Sequence, residues 1–279
     1  MSPNNSLQNK AEIFKNLHQR GGIFVVPNPW DAGSAKVLES LGFEALATTS
    51  AGLAFSLGKP DGFASITREE TLQNVKDIIT ATNLPVSADL ENGFGDSPET
   101  CAETILLAAK AGLAGGSIED ATGNPNDPIY SFDHAIERVK AAVAAARSLP
   151  YAFTLTARAE NLIHGRPDLN DTIRRLEAFA DAGADVLFAP GLKTLEEIEA
   201  VVKAVAPRPV NVVMGLSGGD FSLDMLAEIG VKRVSLGSSL IRAAYGAFFR
   251  AAEEIRHQGK FTFANEAKPY ADINKLFNS

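Results

Sequence analysis

The segment PVSADLENGFGDSPETCAETILLAAKAGLAGGSIED, residues 85–120, contains one complete strand–helix–strand unit. Two short β-type runs, PVSAD (85–89) and GGSIE (115–119), flank an amphipathic stretch at 97–112. That stretch opens with Ser97, a good helix N-cap, and closes on Gly112, a good C-cap. The pattern predicts two parallel strands that are joined by a crossover helix.

The same alternation continues in both directions along the chain. The other short runs are IFVVP (23–27), ALATT (45–49), AFTLTAR (152–158), DVLFAP (185–190), VNVVMG (210–215) and KRVSLG (232–237). A further helix is predicted at 168–183, capped by Asp168. Eight β/α units predict a closed (β/α)8 barrel, also known as a TIM barrel. A doubly wound sheet is the alternative, but no GxGxxG or GxxxxGK[ST] motif follows a strand.

Residues 1–279 are expected to form one barrel domain, with a C-terminal helical extension over about 239–279. This extension comprises a long helix at 239–257 and a polar tail. Its composition indicates ordered structure that packs on a neighbouring subunit.

Composition excludes several classes of partner. The chain has 279 residues, 26 Lys+Arg against 34 Asp+Glu, and a formal net charge of -8, so neither nucleic acid nor an anionic membrane is expected to bind. It contains no apolar run long enough to span a bilayer.

The single cysteine, Cys101, lies in an apolar helical pattern and is expected to fill the core. A reducing cytoplasm is the expected location.

Acidic side chains follow three successive strands of the predicted barrel. Asp89 and Glu119 directly end strands three and four, while Glu91 and Glu160 follow strands three and five. Active sites of such barrels lie at these strand ends. Several carboxylates in one place favour a hard cation, so we expect Mg²⁺, with Mn²⁺ as the alternative ion. Asp31 follows the first strand but is expected to cap a helix.

Arg158 ends strand five, where its guanidinium would point into the barrel mouth and bind a substrate carboxylate. A salt bridge to Glu119 or Glu160 is the alternative. Small residues at 49–52 would free backbone N–H groups for an oxyanion. The sequence lacks HxH and HExxH, and no lysine ends a strand. A zinc hydrolase and a Schiff-base aldolase are therefore disfavoured.

Four motifs together resemble the isocitrate lyase / phosphoenolpyruvate mutase superfamily along almost the whole chain. They are TSAGLAFSLGKPDG (49–62), PVSADLENGFG (85–95), GGSIEDA (115–121) and TARAEN (156–161). The resemblance implies a Mg²⁺-dependent enzyme that acts on a small 2-oxo acid through an enolpyruvate-like intermediate. It also implies a homodimer or homotetramer in which the last helix swaps onto a neighbouring barrel.

The resemblance also assigns roles to residues by motif. Thr49, Ser50 and Ala51 would bind the substrate carboxylate and the enolate oxygen, together with Arg158. The metal would be held by Asp61, Asp89 and Glu119. Asp61, Arg158 and Glu160 are the expected catalytic residues.

Two departures from the family pattern narrow the reaction. Ser87 replaces the first aspartate of the usual DxD, and Glu91 is expected to substitute for it at the metal. The loop at 120–133 contains neither the lyase cysteine nor the mutase lysine, which disfavours isocitrate-type lyases and phosphonomutases. Decarboxylation of a 2-oxo dicarboxylate such as oxaloacetate remains the best match. The alternatives are phosphonopyruvate hydrolysis, another C–C cleavage without the cysteine, a 2-oxo acid binding protein without turnover, and a scaffold subunit.

Overall fold

Eight parallel strands form a single sheet in the computed structural model, which describes residues 3–62, 65–215 and 221–278. The second to eighth strands each pair with their neighbours in chain order, and the first strand pairs with the eighth. The backbone N–H of Ala47 donates to the carbonyl of Pro27 at 3.1 Å, which links the second strand to the end of the first. The predicted (β/α)8 barrel is confirmed.

The eight observed strands all lie within the eight predicted runs. They are β1 (Phe24–Val26), β2 (Leu46–Ala47), β3 (Val86–Asp89), β4 (Gly115–Glu119), β5 (Thr154–Arg158), β6 (Val186–Phe188), β7 (Val210–Val213) and β8 (Arg233–Ser235). The helices are α1 (Pro3–Gln19), α2 (Ala32–Ser40), α3 (Ser50–Ser56), α4 (Arg68–Ala81), α5 (Pro98–Ala111), α6 (Phe132–Arg147), α7 (Leu169–Asp181), α8 (Leu195–Val205), α9 (Leu223–Glu228), α10 (Ser239–Gln258) and α11 (Tyr270–Phe277), with a 3₁₀ turn at Thr262–Asn265.

Helix boundaries follow the capping residues of the sequence. Ser97 caps α5, which ends where Gly112 adopts a left-handed backbone (φ 103°). Asp168 caps α7, and Asp31 forms a capping box with Ser34 at the start of α2. These side chains satisfy backbone N–H groups that a helix start would otherwise leave unpaired.

The main core lies between the outer face of the barrel and the surrounding helices. Cys101 of α5 is fully buried there, and burial raises the pKa of its thiol to about 11, so the predicted core role is confirmed. The barrel interior differs from this core because small and polar residues occupy inward positions. They include Ser87, Ser117, Thr156 and Asn211, at positions where bulky branched residues dominate in most barrels of this kind.

Helix α1 was not predicted, because the start of the chain looked uniformly polar. Three of its apolar residues, Ala11, Phe14 and Leu17, recur every three positions and are buried. This spacing places them on one face of the helix, which packs beneath the barrel at the amino ends of the strands. The amphipathic pattern was therefore present in the sequence but sparse.

The C-terminal extension comprises α10, the 3₁₀ turn and α11. Of α10, Ile241 is the one buried residue, whereas α11 folds back onto α2 of the same chain. There the carbonyl of Phe277 accepts a hydrogen bond from Lys36 Nζ at 3.3 Å. Among the described residues, no helix combines the length and apolar character that a membrane span requires.

Candidate active site

The carboxyl ends of β3, β4 and β5 bring three charged side chains together. Asp89, Glu119 and Arg158 are the last residues of these strands, and Glu119 is the register partner of Arg158 between β4 and β5. Because the strands are parallel, their carboxyl ends meet at one rim of the barrel. Chemistry at this rim can therefore draw on all three strands.

Arg158 makes ion pairs with three carboxylates. Its Nη1 lies 2.9 Å from Asp89 Oδ1, its Nη2 lies 3.1 Å from Glu119 Oε2, and its Nε lies 2.7 Å from Glu160 Oε1. Burial by itself would lower the pKa of Arg158, but these charges more than offset burial and raise that pKa well above its ordinary value. Arg158 therefore forms the salt bridges that were the alternative prediction. Its contact with a substrate carboxylate remains a prediction.

Negative charge at the rim exceeds what Arg158 neutralises. Burial, reinforced by Asp89 and Asp61, raises the pKa of Glu91 to about 8. Burial also raises the pKa of Glu119 well above its ordinary value, and the pKa of Asp61 is raised by burial and by the nearby Asp89. A cation among these oxygens would stabilise their ionised forms.

The donor chemistry of the rim fits Mg²⁺, which takes oxygen ligands and is usually bound through one or two carboxylates with several waters retained. Within residues 3–62, 65–215 and 221–278, no three Asp, Glu, His or Cys side chains form a ready-made metal site. Arg158 bonds to both Asp89 and Glu119 and so stands between them. The negative charge and the oxygen ligands of the rim therefore suit Mg²⁺, although these side chains do not form a complete coordination site.

The predicted oxyanion loop forms the start of the short helix α3. Thr49 caps this helix, its Oγ1 accepting a hydrogen bond from the backbone N–H of Gly52 at 3.2 Å. The backbone N–H and the hydroxyl of Ser50 both donate to Asp89 Oδ2, at 3.3 and 3.0 Å. Ala51 also lines the barrel mouth. Ser50 thus orients the carboxylate of Asp89, a role that the motif did not indicate.

The loop after β3 carries Glu91 in a left-handed backbone conformation (φ 47°), and its N–H donates to Asp89 Oδ1 at 3.2 Å. Buried Arg138 of α6 holds the same loop by donating to the carbonyls of Asn92, Gly95 and Asp96. This role of Arg138 could not be predicted from the sequence, since a lone arginine in an amphipathic helix is usually exposed to solvent.

The loop at 120–133 begins and ends on buried anchors. Asp120 accepts the backbone N–H of Glu160 at 2.8 Å and pairs with Arg175 at 3.0 Å, while its carbonyl accepts the N–H of Tyr130 at 2.9 Å. An antiparallel bridge also joins Ala121 to Ile129. Asp120 is therefore a structural anchor of the loop, whereas the tip of the loop is exposed.

Two cavities open at the rim. The larger, of about 680 Å³, is lined by side chains from α4, the β3–α5 loop and the ends of β4 and β5. It contains Asp61, Glu91 and Glu119, and also His164, whose Nε2 lies 4.0 Å from Glu160 Oε2. His164 was missed because it belongs to none of the four motifs. The smaller cavity, of about 210 Å³, extends from Asp89 into the barrel.

Comparison with known proteins identifies one family and several similar proteins of the same superfamily. The model of the family described as phosphoenolpyruvate phosphomutase matches residues 14–256. A solved structure of a candidate lyase/mutase from Burkholderia cenocepacia J2315 is 60% identical, with a TM-score of 0.96 over 99% of this chain and 98% of that one. The 2-methylisocitrate lyase of Halalkalibacterium halodurans is 28% identical over 89% of this chain and 83% of that protein.

A solved structure of oxaloacetate acetylhydrolase with the inhibitor 3,3-difluorooxalacetate is 26% identical, with a TM-score of 0.87 over 96% of this chain and 93% of that one. The family model covers most of the chain, and the similar proteins cover it almost end to end. The chain therefore belongs to the phosphoenolpyruvate phosphomutase family, within the isocitrate lyase / phosphoenolpyruvate mutase superfamily.

Proposed function

We propose that this protein is a Mg²⁺-dependent carbon–carbon lyase that decarboxylates a small 2-oxo dicarboxylic acid, with oxaloacetate as the model substrate. The observation that supports this most is the rim, where one guanidinium and several carboxylates surround the mouth of a cavity. Related proteins include lyases, a hydrolase of oxaloacetate and a phosphomutase, all named for small organic acids. The proposed location is a reducing cytoplasm, because a single cysteine can form no disulfide within the chain.

Asp89, Glu119, Asp61 and Glu91 would together hold the metal ion and its waters. The bound ion would act as a Lewis acid for the 2-oxo carboxylate and the enolate. Ser50 keeps the Asp89 carboxylate in place through two hydrogen bonds. Glu160, almost completely buried, holds the guanidinium of Arg158 through its Nε. When substrate and cation enter, Arg158 can transfer hydrogen bonds from Asp89 and Glu119 to the substrate carboxylate.

Decarboxylation suits the residues around the cavity. The C3–C4 bond of oxaloacetate breaks, CO₂ leaves, and the electron pair remains as the enolate of pyruvate, which then takes a proton from solvent. No leaving group needs protonation, so the absence of a cysteine or lysine from the loop at 120–133 is tolerated. The backbone N–H of Ala51, at the start of α3, would share the enolate charge, since those of Ser50 and Gly52 already donate to Asp89 and Thr49.

The test measures pyruvate release from oxaloacetate, phosphonopyruvate and 2-methylisocitrate, each with Mg²⁺ and with EDTA. A blank without protein is essential, because free Mg²⁺ itself decarboxylates oxaloacetate. Asp89→Ala is the site variant, and Glu12→Gln, which removes an exposed carboxylate of α1, is the matched control. We expect release from oxaloacetate that is lost in Asp89→Ala and retained in Glu12→Gln.

Three other outcomes would contradict the proposed reaction or the proposed site. Release of phosphate with pyruvate from phosphonopyruvate alone would favour phosphonopyruvate hydrolysis. Turnover that survives in Asp89→Ala would refute the assignment of the rim. An absence of turnover on all three compounds, combined with binding of oxalate that requires Mg²⁺, would favour a 2-oxo acid binding protein.

A homodimer or homotetramer that forms through the C-terminal extension is part of the proposal. Helix α10 exposes Phe248 and Phe249, which are 67% and 62% accessible, and Phe261 and Tyr270 beyond it are also exposed. Such an aromatic patch on one helix is typical of a protein interface. Exchange of this helix between barrels would cover it.

A further inference from the structure

The smaller cavity continues below the rim into the barrel, and we name this part the inner chamber. Its walls come from inward positions of the strands, and its volume together with the mouth is about 210 Å³. Apolar side chains such as Val26 and Val213 form part of the walls, and the polar wall residues are Ser87, Ser117, Asn211, Arg233 and Ser235. The chamber therefore has several polar wall groups and a guanidinium at its lower end.

Arg233 is more than nine-tenths buried and binds three neutral acceptors. Its Nε donates to Asn211 Oδ1 at 2.8 Å and its Nη2 donates to Thr156 Oγ1 at 3.0 Å. Its Nη1 lies 3.3 Å from His18 Nε2. The other ring nitrogen of His18, Nδ1, lies 2.8 Å from the carbonyl of Phe14, and this contact requires a proton on Nδ1. Nε2 is therefore the acceptor for Arg233, and the ring is neutral.

In the part of the chain that the structure describes, no carboxylate forms an ion pair with Arg233. Burial lowers the pKa of Arg233 to about 9, which still leaves the guanidinium charged at neutral pH. Asp89 lies at the upper end of the same cavity, but its charge is paired with Arg158. The barrel interior thus holds a positive charge without a counter-ion, an arrangement that proteins rarely tolerate.

We propose that the inner chamber binds one small carboxylate against Arg233. A guanidinium has five N–H donors, and three of those on Arg233 are used by protein acceptors, so two remain for a ligand. The hydroxyls of Ser87 and Ser117 lie on the walls as further donors. The cavity measures only about 210 Å³ with the mouth included, which favours a group of a few heavy atoms in the chamber below.

The carboxylate can come from two sources. It is either a free anion such as formate, or the second carboxylate of a dicarboxylic substrate that extends downward from the rim. The second source deepens the proposed function and rests on it, whereas binding of a free anion does not.

The test uses full-length protein freed of divalent ions with EDTA. The midpoint of thermal unfolding is recorded at increasing concentrations of sodium formate. The ionic strength is kept constant with the sodium salt of a bulky sulfonate, which cannot enter the chamber. We expect a saturable rise of roughly 2–4 °C, because a ligand that binds only the folded state stabilises it. Neither metal nor turnover is needed, so failure of the proposed function would leave this result intact.

Three variants localise the effect. Arg233→Met removes the charge, Ser87→Val keeps the charge but fills the chamber, and Arg208→Met removes an exposed arginine as the matched control. The formate-dependent rise should disappear in the first two and persist in the control. If Arg233→Met does not fold, Ser87→Val and a crystal soaked in bromide test the proposal instead. In that crystal we expect an anomalous bromide peak within about 3.5 Å of the guanidinium, as for an ordinary charged contact.

Absence of a saturable rise in the wild type, or its persistence in Ser87→Val, would overturn the proposal. The source of the carboxylate follows from kinetics with oxaloacetate. A KM at least tenfold higher in Ser87→Val, with inhibition by pyruvate unchanged, would identify the second carboxylate of the substrate. An unchanged KM would identify a free anion.

Discussion

Replacement of Glu91 by glutamine should stabilise the metal-free protein at alkaline pH. Glu91 is half-buried, and burial together with the charges of Asp89 and Asp61 raises its pKa from 4.5 to about 8. In the unfolded chain the same carboxyl titrates near its ordinary value. Between these two pKa values the folded state binds the proton more tightly, so stability is greatest at low pH and falls as pH rises through this window.

The magnitude follows from the displacement of the pKa. At 1.36 kcal/mol per pKa unit, a rise from 4.5 to about 8 corresponds to about 5 kcal/mol. Partial exposure of the side chain and solvent screening reduce the effect, and we expect about 2 kcal/mol at pH 8.5. Glutamine keeps the shape of the side chain and carries no charge to bury, so the variant should lack this penalty.

Urea unfolding at pH 5.5, 7.0 and 8.5, in EDTA and in Mg²⁺, measures the effect. In EDTA the wild type should lose stability with rising pH, and Glu91→Gln should lose about 2 kcal/mol less. Mg²⁺ should narrow the difference between the two proteins, since the ion binds ionised carboxylates. Glu12→Gln should follow the wild type. Equal pH slopes for Glu91→Gln and the wild type would refute the claim that Glu91 carries excess charge at the rim.

Other perturbations test the rim, the loop after β3 and the C-terminal extension. Arg158→Met should lower the free energy of unfolding by about 3 kcal/mol in EDTA, because three carboxylates lose their shared partner, and an unchanged urea midpoint would contradict this. Gly93→Ala should cost about 2 kcal/mol in the same assay, since Gly93 has φ 84° and an added Cβ would lie 3.0 Å from Cys101 Sγ. Phe248→Glu combined with Phe249→Glu should lower the mass measured by light scattering to that of a smaller assembly, and a retained mass would exclude these side chains from the interface.

The sequence was sufficient to predict the barrel and the location of the rim. Strand and helix periodicity, together with caps such as Ser97 and Asp168, are local features, and they form the same elements in the folded protein. The convergence of Asp89, Glu119 and Arg158 could also be predicted, because the carboxyl ends of parallel strands lie at one edge whatever the details of packing. Helix α1 was missed since only three buried apolar residues among its described side chains mark its inner face, which gives a weak pattern.

Tertiary structure alone decided which polar groups are partners. The ion pair of Arg158 with Asp89 joins residues 69 positions apart, and the contact of Arg233 with His18 joins residues 215 positions apart. Such pairings depend on the register of the strands and on which side chains point inward, and neither can be read from local periodicity. The sequence by itself therefore determined the fold and the edge of the barrel at which these charged side chains meet. Only the closed barrel determined that Arg158 is shared among three carboxylates and that Arg233 is buried with no carboxylate partner among the described residues.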